Sequence, residues 1–599
     1  MTIVLPPELI LHVLQHVDGP CTVSTLLAVA TSASSLRSLL LSSTALWQPI
    51  LHEQYEKHRP TCPSLVSAVQ AEANDDGLAL PFRILRHRAL KDRRALQVVH
   101  DIQHPLHRLP LVDELRDSLG ADVVAGLSRG EEKLTEEKDP ENWLCSRWWS
   151  GELRTLLLRS EAVKVWQGIV RSDERGEETE EDFEKGLNAF AAFRGLDPQL
   201  LPHERYNVDL HPRLFESLSP PLYDGARRLE WIGAQVVDYM SSLGLKAAPD
   251  GAFHDLDNHY VELCWSRALA DDESGGDGGS LPMTLVAIFC SLVRRLPLVK
   301  AEKILVKPIG FPGQVLAGLS YEGSGEWTYI SVFSGGTVMR QEAMRSMLQA
   351  MGQAPMEEFF QPASAREMCL RVGRNIIASV RQGERHRGEP ISHEDATASL
   401  FSVAFALTIL SPTSANGGGG GGGLNVAEYI EWLVALSQGQ YSLDVRVVEE
   451  IVERAQGVSR ERRERVRELC EAIREEDRTE KEKKWVNGEI KWRIGHVYTA
   501  VIRGWDYKCE ASEQWIRQMQ VDRLPFGRHQ PFYHVLVKDG SSRYVASENI
   551  TDTRIGEEDV LSLVNNPALG RYFRKRERRE DGRWAFVPSR ETEEEYPDS

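Results

Sequence analysis

Apolar residues along this chain follow two rhythms, a helical one over most of its length and an alternating one near the carboxyl end. Leu9, Ile10, Val13, Leu14 and Val17 recur at helical spacing after Pro6-Pro7, and a proline suits the first helical turn because no amide donor is needed there. A second helix is expected from about Thr25, and a third after Ser43-Thr44 through Trp47. Helical patterning continues between Pro81 and Trp166, where Trp143, Trp148, Trp149 and Trp166 are expected to bury the block. The acidic run ERGEETEEDFEKG reads as a solvated loop leading into a helix over 186–193.

Strand-like runs come next, KILVKPIGFPGQVLAGLSY and WTYISVFSGG. Beyond them LFSVAFALTIL and NVAEYIEWLVALSQ are expected to pair as a helical hairpin around the glycine run Gly417 to Gly423. Residues 443–484 are helix-prone and densely charged, with one weak stripe of Val458, Val466, Leu469 and Ile473. The alternating rhythm belongs to Trp492 to Ile550. Runs at His496 to Ile502, Tyr533 to Lys538 and Arg543 to Ala546 are separated by turn signals at Gly504-Trp505-Asp506, Pro525-Phe526-Gly527 and Lys538-Asp539-Gly540. Asp539-Gly540 marks a hairpin, since a tight reversed turn needs positive φ. The fold class that follows is multidomain and mainly α with α+β, ending in a small β-barrel-like module.

Composition narrows the function classes. A chain of 599 residues with 41% hydrophobic content has material for several cores. Its 71 Lys and Arg against 89 Asp and Glu give a net charge of -18, which argues against a chain built overall to bind polyanions. Within Lys491 to Ile550 nine cations face six anions, so local anion binding stays open. Cys21, Cys62, Cys145, Cys264, Cys290, Cys369, Cys470 and Cys509 are scattered singly, without zinc or disulfide spacing, which suits a reducing compartment. The apolar runs at Leu281 to Val293 and Leu400 to Leu410 are shorter than the roughly 18 residues a bilayer span needs, so no membrane partner is expected. With no cationic segment before the first apolar run, cytoplasm or nucleus is the expected location.

Two polar groupings invite a metal. His100, His104 and His107 lie at helical spacing, but Pro105 interrupts them and they read as surface histidines. His254, Asp255, Asp257 and His259 fit no ligand spacing and read as caps and loop hydrogen bonds. No metal and no cofactor are expected.

Three stretches resemble known families. LPPELILHVL, the helix ending before Leu36-Arg37, and Leu46-Trp47 resemble an F-box, which implies that Leu5, Pro6, Leu9, Ile10, Leu14 and Trp47 dock onto the Skp adaptor of a cullin-RING ubiquitin ligase. The small-residue helix AVATSASSLRSLL departs from the bulkier, more basic F-box pattern. LDNHYVELCW, SLPMTLVAIFCSLVRRL and GFPGQVLAGL, with a Gly-rich insertion DDESGGDGGS, resemble the SirB-type transglutaminase-like family. Such chemistry needs a thiolate at a helix start and a histidine base on a following strand. The corresponding positions here are Ser280-Leu281-Pro282-Met283-Thr284 and Gly313-Gln314-Val315. Thr284 is the lone hydroxyl candidate on the helix itself, Gln314 does not titrate near neutral pH, and Cys290 lies nearly two turns further in. The region is therefore expected to be degenerate, with no catalytic residue.

GWDYKCEASEQWI, QPFYHVLVKDG and RYVASENI resemble the YccV-like, or hemimethylated-DNA-binding, family. The ligand candidates there are Trp505, Asp506, Trp515, Tyr533, His534, Arg543, Tyr544, Glu548 and Asn549. Their aromatics either stack on a ligand or form the module's core, and the polar ones either rim a site or cap turns. Cys509 beside Lys508 has no base near it in sequence.

The expected segments are 1–58 F-box, 81–166 helical block, 167–400 transglutaminase-like region, 401–484 helical region with the Gly-rich loop, 490–552 YccV-like β domain and 553–599 tail. Their order resembles an F-box protein that receives substrates for an SCF-type ligase. Its implied partners are the Skp adaptor, the cullin-RING core and an unidentified protein substrate. A DNA-associated protein and a residual transglutaminase-like hydrolase are the alternatives.

Overall fold

A computed structural model describes residues 10–12, 14, 22–56, 61–72, 77–197, 225–268, 279–382, 391–411, 426–455, 458–479, 499–538, 540–550, 557–580, 582 and 584–596. Helices dominate, with nine strands among the described residues: β1 Ile304–Ile309, β2 Leu316–Tyr321, β3 Thr328–Ser331, β4 Thr337–Met339, β5 Ala500–Asp506, β6 Phe532–Val537, β7 Ser542–Ala546, β8 Phe573–Arg578 and β9 Trp584–Pro588. The chain divides into two compact units, Met1–Leu157 with Arg474–Ser599, and Leu158–Ile473.

In the unit Leu158–Ile473, strands β1 to β4 form an antiparallel meander in sequence order, and the helix Pro282–Arg295 packs on β1 and β2. That helix is buried from Met283 through Val293, so its polar positions are core positions. The helices His393–Leu410 and Val426–Ser437 pair as the apolar runs imply, while the glycine run between them lies outside the described residues. Trp166, Phe193, Phe401 and Tyr441 form a chain of ring contacts beside them, Phe401 stacking on Tyr441 at 4.1 Å. Arg159 meets Asp444 at 2.7 Å with both side chains 3% exposed. On the helix Arg460–Arg478 the buried residues are Val466, Cys470 and Ile473, so the weak apolar stripe runs through a cysteine rather than through Leu469.

In the other unit, the helices Thr22–Ser32, Ser34–Leu41 and Thr44–Leu51 enclose Leu26, Ala30, Leu40, Leu46 and Trp47 together with Phe82 of the helix Leu80–Asp101. Ser43 caps the third helix by accepting from the Leu46 amide. Asp92, on the long helix, accepts from Tyr55 Oη at 2.9 Å and Arg129 Nη2 at 2.8 Å.

The terminal strands form an open antiparallel sheet in the order β5-β6-β7, beside the hairpin β8-β9. No closed barrel is found among the described residues, which corrects the barrel-like expectation. The connection from β5 to β6 folds as the helix Glu513–Gln518 and a 3-10 turn, so it adds no strand that would close the sheet. Asp539 lies outside the described residues, and Gly540 has φ 84°, the positive value the turn requires. Val501 and Leu536 share one core with Val560, Leu563, Phe573 and Phe586. Residues from the stretch read as a tail thus complete the apolar cover of this sheet.

Candidate functional site

Register decides which of the nine terminal candidates meet. His534 lies opposite Gly504 on β5 and opposite Tyr544 on β7, and Asp506 is two residues beyond Gly504, so Asp506, His534 and Tyr544 share one face. Trp505 pairs with Tyr533, and Arg543 pairs with Val535 two residues along, which puts Trp505, Tyr533 and Arg543 on the other face. The nine residues therefore do not form one rim.

On the first face Asp506 is 5% exposed and accepts from Tyr544 Oη at 2.7 Å, while His534 Nε2 lies 3.1 Å from the same carboxylate oxygen. Tyr544 Oη in turn accepts from the Glu510 amide at 3.2 Å. Burial first, and the Asp506 carboxylate beside it, push the Tyr544 phenol above its usual range. His534 and Trp515 lie against the Tyr544 ring at 4.6 and 5.7 Å. Phe532, Ile516, Val521, Cys509 and Ala546 form an apolar cluster at one end of this face. The group is a half-open polar notch: an acceptor held by a phenol and an imidazole, with aromatic sides.

On the opposite face Trp505 is 3% exposed and packs on Tyr596 at 4.6 Å. Arg543 is exposed and Tyr533 half-buried. Glu548 follows β7 in a short turn; its amide donates to Gln530 Oε1, and its carboxylate accepts from the Phe526 amide at 3.4 Å. Asn549 is exposed in the same turn. Phe526 itself, 69% exposed, is a surface aromatic that the sequence pattern did not single out.

The transglutaminase-like positions are arranged differently. Thr284 is 1% exposed and donates to the Asn258 carbonyl at 2.9 Å. Gln314 is half-buried in the turn before β2, its amide bonded to the Phe311 carbonyl. Ser280 is fully buried, in a bridge to Ala247. Cys290 is buried within its helix and its thiol is pushed up to about 12. Cys264, a residue of LDNHYVELCW outside the two expected catalytic positions, sits beside the helix start: its Sγ lies 3.9 Å from the Gly279 carbonyl, and Arg267 Nη2 lies 3.5 Å from the sulfur. Burial outweighs the arginine and raises this thiol too. His259 is wholly buried with Nε2 2.9 Å from Ser379 Oγ, and burial followed by the nearby His254 push it down to about 3. Asp255 caps the turn Leu256–His259 by accepting from the Asp257 amide, and Asp257 pairs with Arg194. No cluster of three or more His, Cys, Asp or Glu residues suited to a metal occurs among the described residues.

Of the adaptor candidates, Leu5, Pro6 and Leu9 lie outside the described residues. Ile10 and Leu14 are half-buried. Trp47 is fully buried; its Nε1 donates to the Leu40 carbonyl at 2.8 Å and its ring sits 4.8 Å from Phe82, so it holds the helices together from inside.

With these geometries in place, comparison with known proteins identifies two regions. Residues 491–580 match the family described as hemimethylated DNA-binding protein YccV like. Residues 247–374 match the transglutaminase-like superfamily. The chain is also 43% identical over 101 residues to proteins named F-box only protein 21 from Pongo abelii, Mus musculus and Homo sapiens. That stretch is 17% of this chain and 15% of the Pongo protein, or 14% of the mouse and human ones. No solved structure matches. The YccV-like match reaches past β7 to residue 580, taking in the helix Glu557–Val564 and β8, which supply part of the shared core. Among the described residues no helix is long and apolar enough to cross a membrane.

Proposed function

We propose that this chain is the non-catalytic substrate-receiving subunit of an SCF-type ubiquitin ligase, working in the cytoplasm or nucleus. The observation that carries the proposal is the 43% identity over 101 residues to F-box only protein 21. In this role the amino-terminal helices tether the chain to the Skp adaptor and cullin-RING core, with Ile10 on the docking side and Leu14 packed against the Leu26 and Trp47 core that holds those helices together. The remaining domains hold a protein substrate near the ubiquitin-loaded enzyme, raising its effective concentration.

A non-catalytic middle region agrees with the chemistry at its helix start. Thr284 has its hydroxyl committed to the Asn258 carbonyl, and the flanking thiols Cys264 and Cys290 are held protonated by burial. Gln314 provides no base. A broad amide panel should accordingly give no turnover that depends on Thr284 or Cys264.

The test is retention of purified Skp adaptor by the full chain. Retention should be lost in Ile10→Asp with helical content unchanged; adaptor binding that survives the change, or none by the parent chain, overturns the proposal. A second reading, DNA association, is favoured by the description of the matched terminal family. It requires duplex binding by the full chain that weakens steeply with salt and is reduced by Arg543→Ala.

A further inference from the structure

The helix Leu80–Asp101 runs for 22 residues and buries one side, through Ile84, Arg88, Ala95, Val98 and Val99, against the helices around it. Its other side follows a seven-residue repeat. Phe82, Ala89 and Leu96 recur at one heptad position and Arg86, Arg93 and His100 at another, and all six fall on one helical face because seven residues make almost two turns. At its first turn this stripe is occupied by the chain itself: Phe82 is buried, its ring 4.8 Å from Trp47 of the helix Thr44–Leu51. Beyond that contact the stripe is open. Arg86, Ala89, Arg93 and His100 are exposed, and so are Leu90 and Leu96, at 50% and 42%. One helix thus seats on the beginning of the stripe, and the next two heptads stay uncovered.

The cations of this helix divide the same way. Off the stripe, Lys91 meets Asp122 at 2.9 Å, Arg94 meets Glu114 at 2.7 Å, and Arg88 donates to the Asp122 carbonyl. On it, Arg86 and Arg93 have no ion pair or hydrogen-bonded side-chain partner among the described residues, and no carboxylate occupies a stripe position. Two guanidinium groups seven residues apart, about 10.5 Å along the axis, match carboxylates at the same spacing on a facing helix. Leu90 and Leu96 supply the apolar contact between them, and Ala89 is small enough to receive a facing side chain. Exposed ion pairs contribute only about 0–1 kcal/mol, so the leucines carry the affinity and the arginines select the partner's charge.

We propose that Arg86, Leu90, Arg93 and Leu96 form a docking stripe for an acidic amphipathic helix of a partner protein, packed in coiled-coil fashion next to the seat of Trp47. The stripe is independent of whether the chain joins a ligase. It is tested on the full chain by fluorescence anisotropy. The probe is a labelled helical peptide of about three heptads, with a glutamate every seven residues between leucines; a lysine peptide of the same pattern and a scrambled peptide of the same composition serve as controls. The glutamate peptide should bind, and each control about tenfold or more weaker. Its affinity should fall by about tenfold or more in Leu90→Gln, Leu96→Gln. In Arg86→Glu, Arg93→Glu the preference should reverse, with the lysine peptide binding in place of the glutamate one. Both double variants change exposed side chains and should keep the parent's helical content and unfolding midpoint. Absence of binding, equal binding of a control peptide, or a charge preference that fails to reverse overturns the proposal. Adaptor retention measured on the same variants keeps this outcome separate from that of the receptor proposal.

Discussion

Tyr544 on β7 donates its phenolic hydrogen to the nearly buried Asp506 carboxylate on β5, across the intervening β6, at 2.7 Å. Replacing Tyr544 by Phe leaves the ring contacts with Phe532 and His534 and deletes that donor. A carboxylate deprived of one of its donors while shielded from water costs about 1–3 kcal/mol. Chemical denaturation of the full chain should show a loss of that size for Tyr544→Phe, and a change within about 0.5 kcal/mol for Arg543→Ala, whose side chain is exposed on the opposite face.

Gly504 occupies a position where a methyl group would come 2.6 Å from the Tyr596 ring. The same ring packs on Trp505, so it has little room to withdraw. Gly504→Ala should destabilise the terminal unit by about 1–3 kcal/mol, read as a lower unfolding midpoint. Adding Tyr596→Ala to it should cost less than the two single losses combined, because the clash goes with the ring.

Much of this architecture was legible from periodicity. The second and third alternating runs became β6 and β7 within a residue, and the Gly540 turn took the φ that its sequence requires; β5, however, runs through Gly504-Trp505-Asp506, which the sequence marks as a turn, because the bulge before Gly504 lets the strand continue. The grouping of the ligand candidates was not, because a bulge between Ile502 and Gly504 shifts the register and decides which face Asp506 takes. Trp47 illustrates another limit: a motif marks it as important without saying whether its indole faces a partner or, as here, Phe82 and the Leu40 carbonyl. Cys264 was not legible as a neighbour of this helix start because it lies eighteen positions before Pro282 in a different element and reaches Gly279 only through the fold.

Arg159 and Asp444 are 3% exposed and 285 residues apart, so neither charge has water to fall back on. Removing one partner takes a 2.7 Å charge contact away from a buried group, which costs about 3–5 kcal/mol. Asp444→Ala should therefore lower the unfolding midpoint of the unit Leu158–Ile473 sharply. Replacing both by apolar residues of similar volume, Arg159→Met with Asp444→Leu, should recover most of that loss.

His259 sets a pH dependence whose sign follows from its burial. Its pKa falls from an ordinary value of 6.5 to about 3 in the fold, so the neutral ring is the folded form and the unfolded chain takes up the proton first as pH drops. The stability it contributes is complete above about pH 6.5 and declines by roughly 1.4 kcal/mol for each unit below that, until the folded pKa is reached. Unfolding midpoints measured between pH 7 and 4 should fall more steeply for the parent chain than for His259→Gln, which keeps a polar group near Ser379 but does not titrate. Parallel slopes for the two would mean that His259 is reached by solvent before the fold opens.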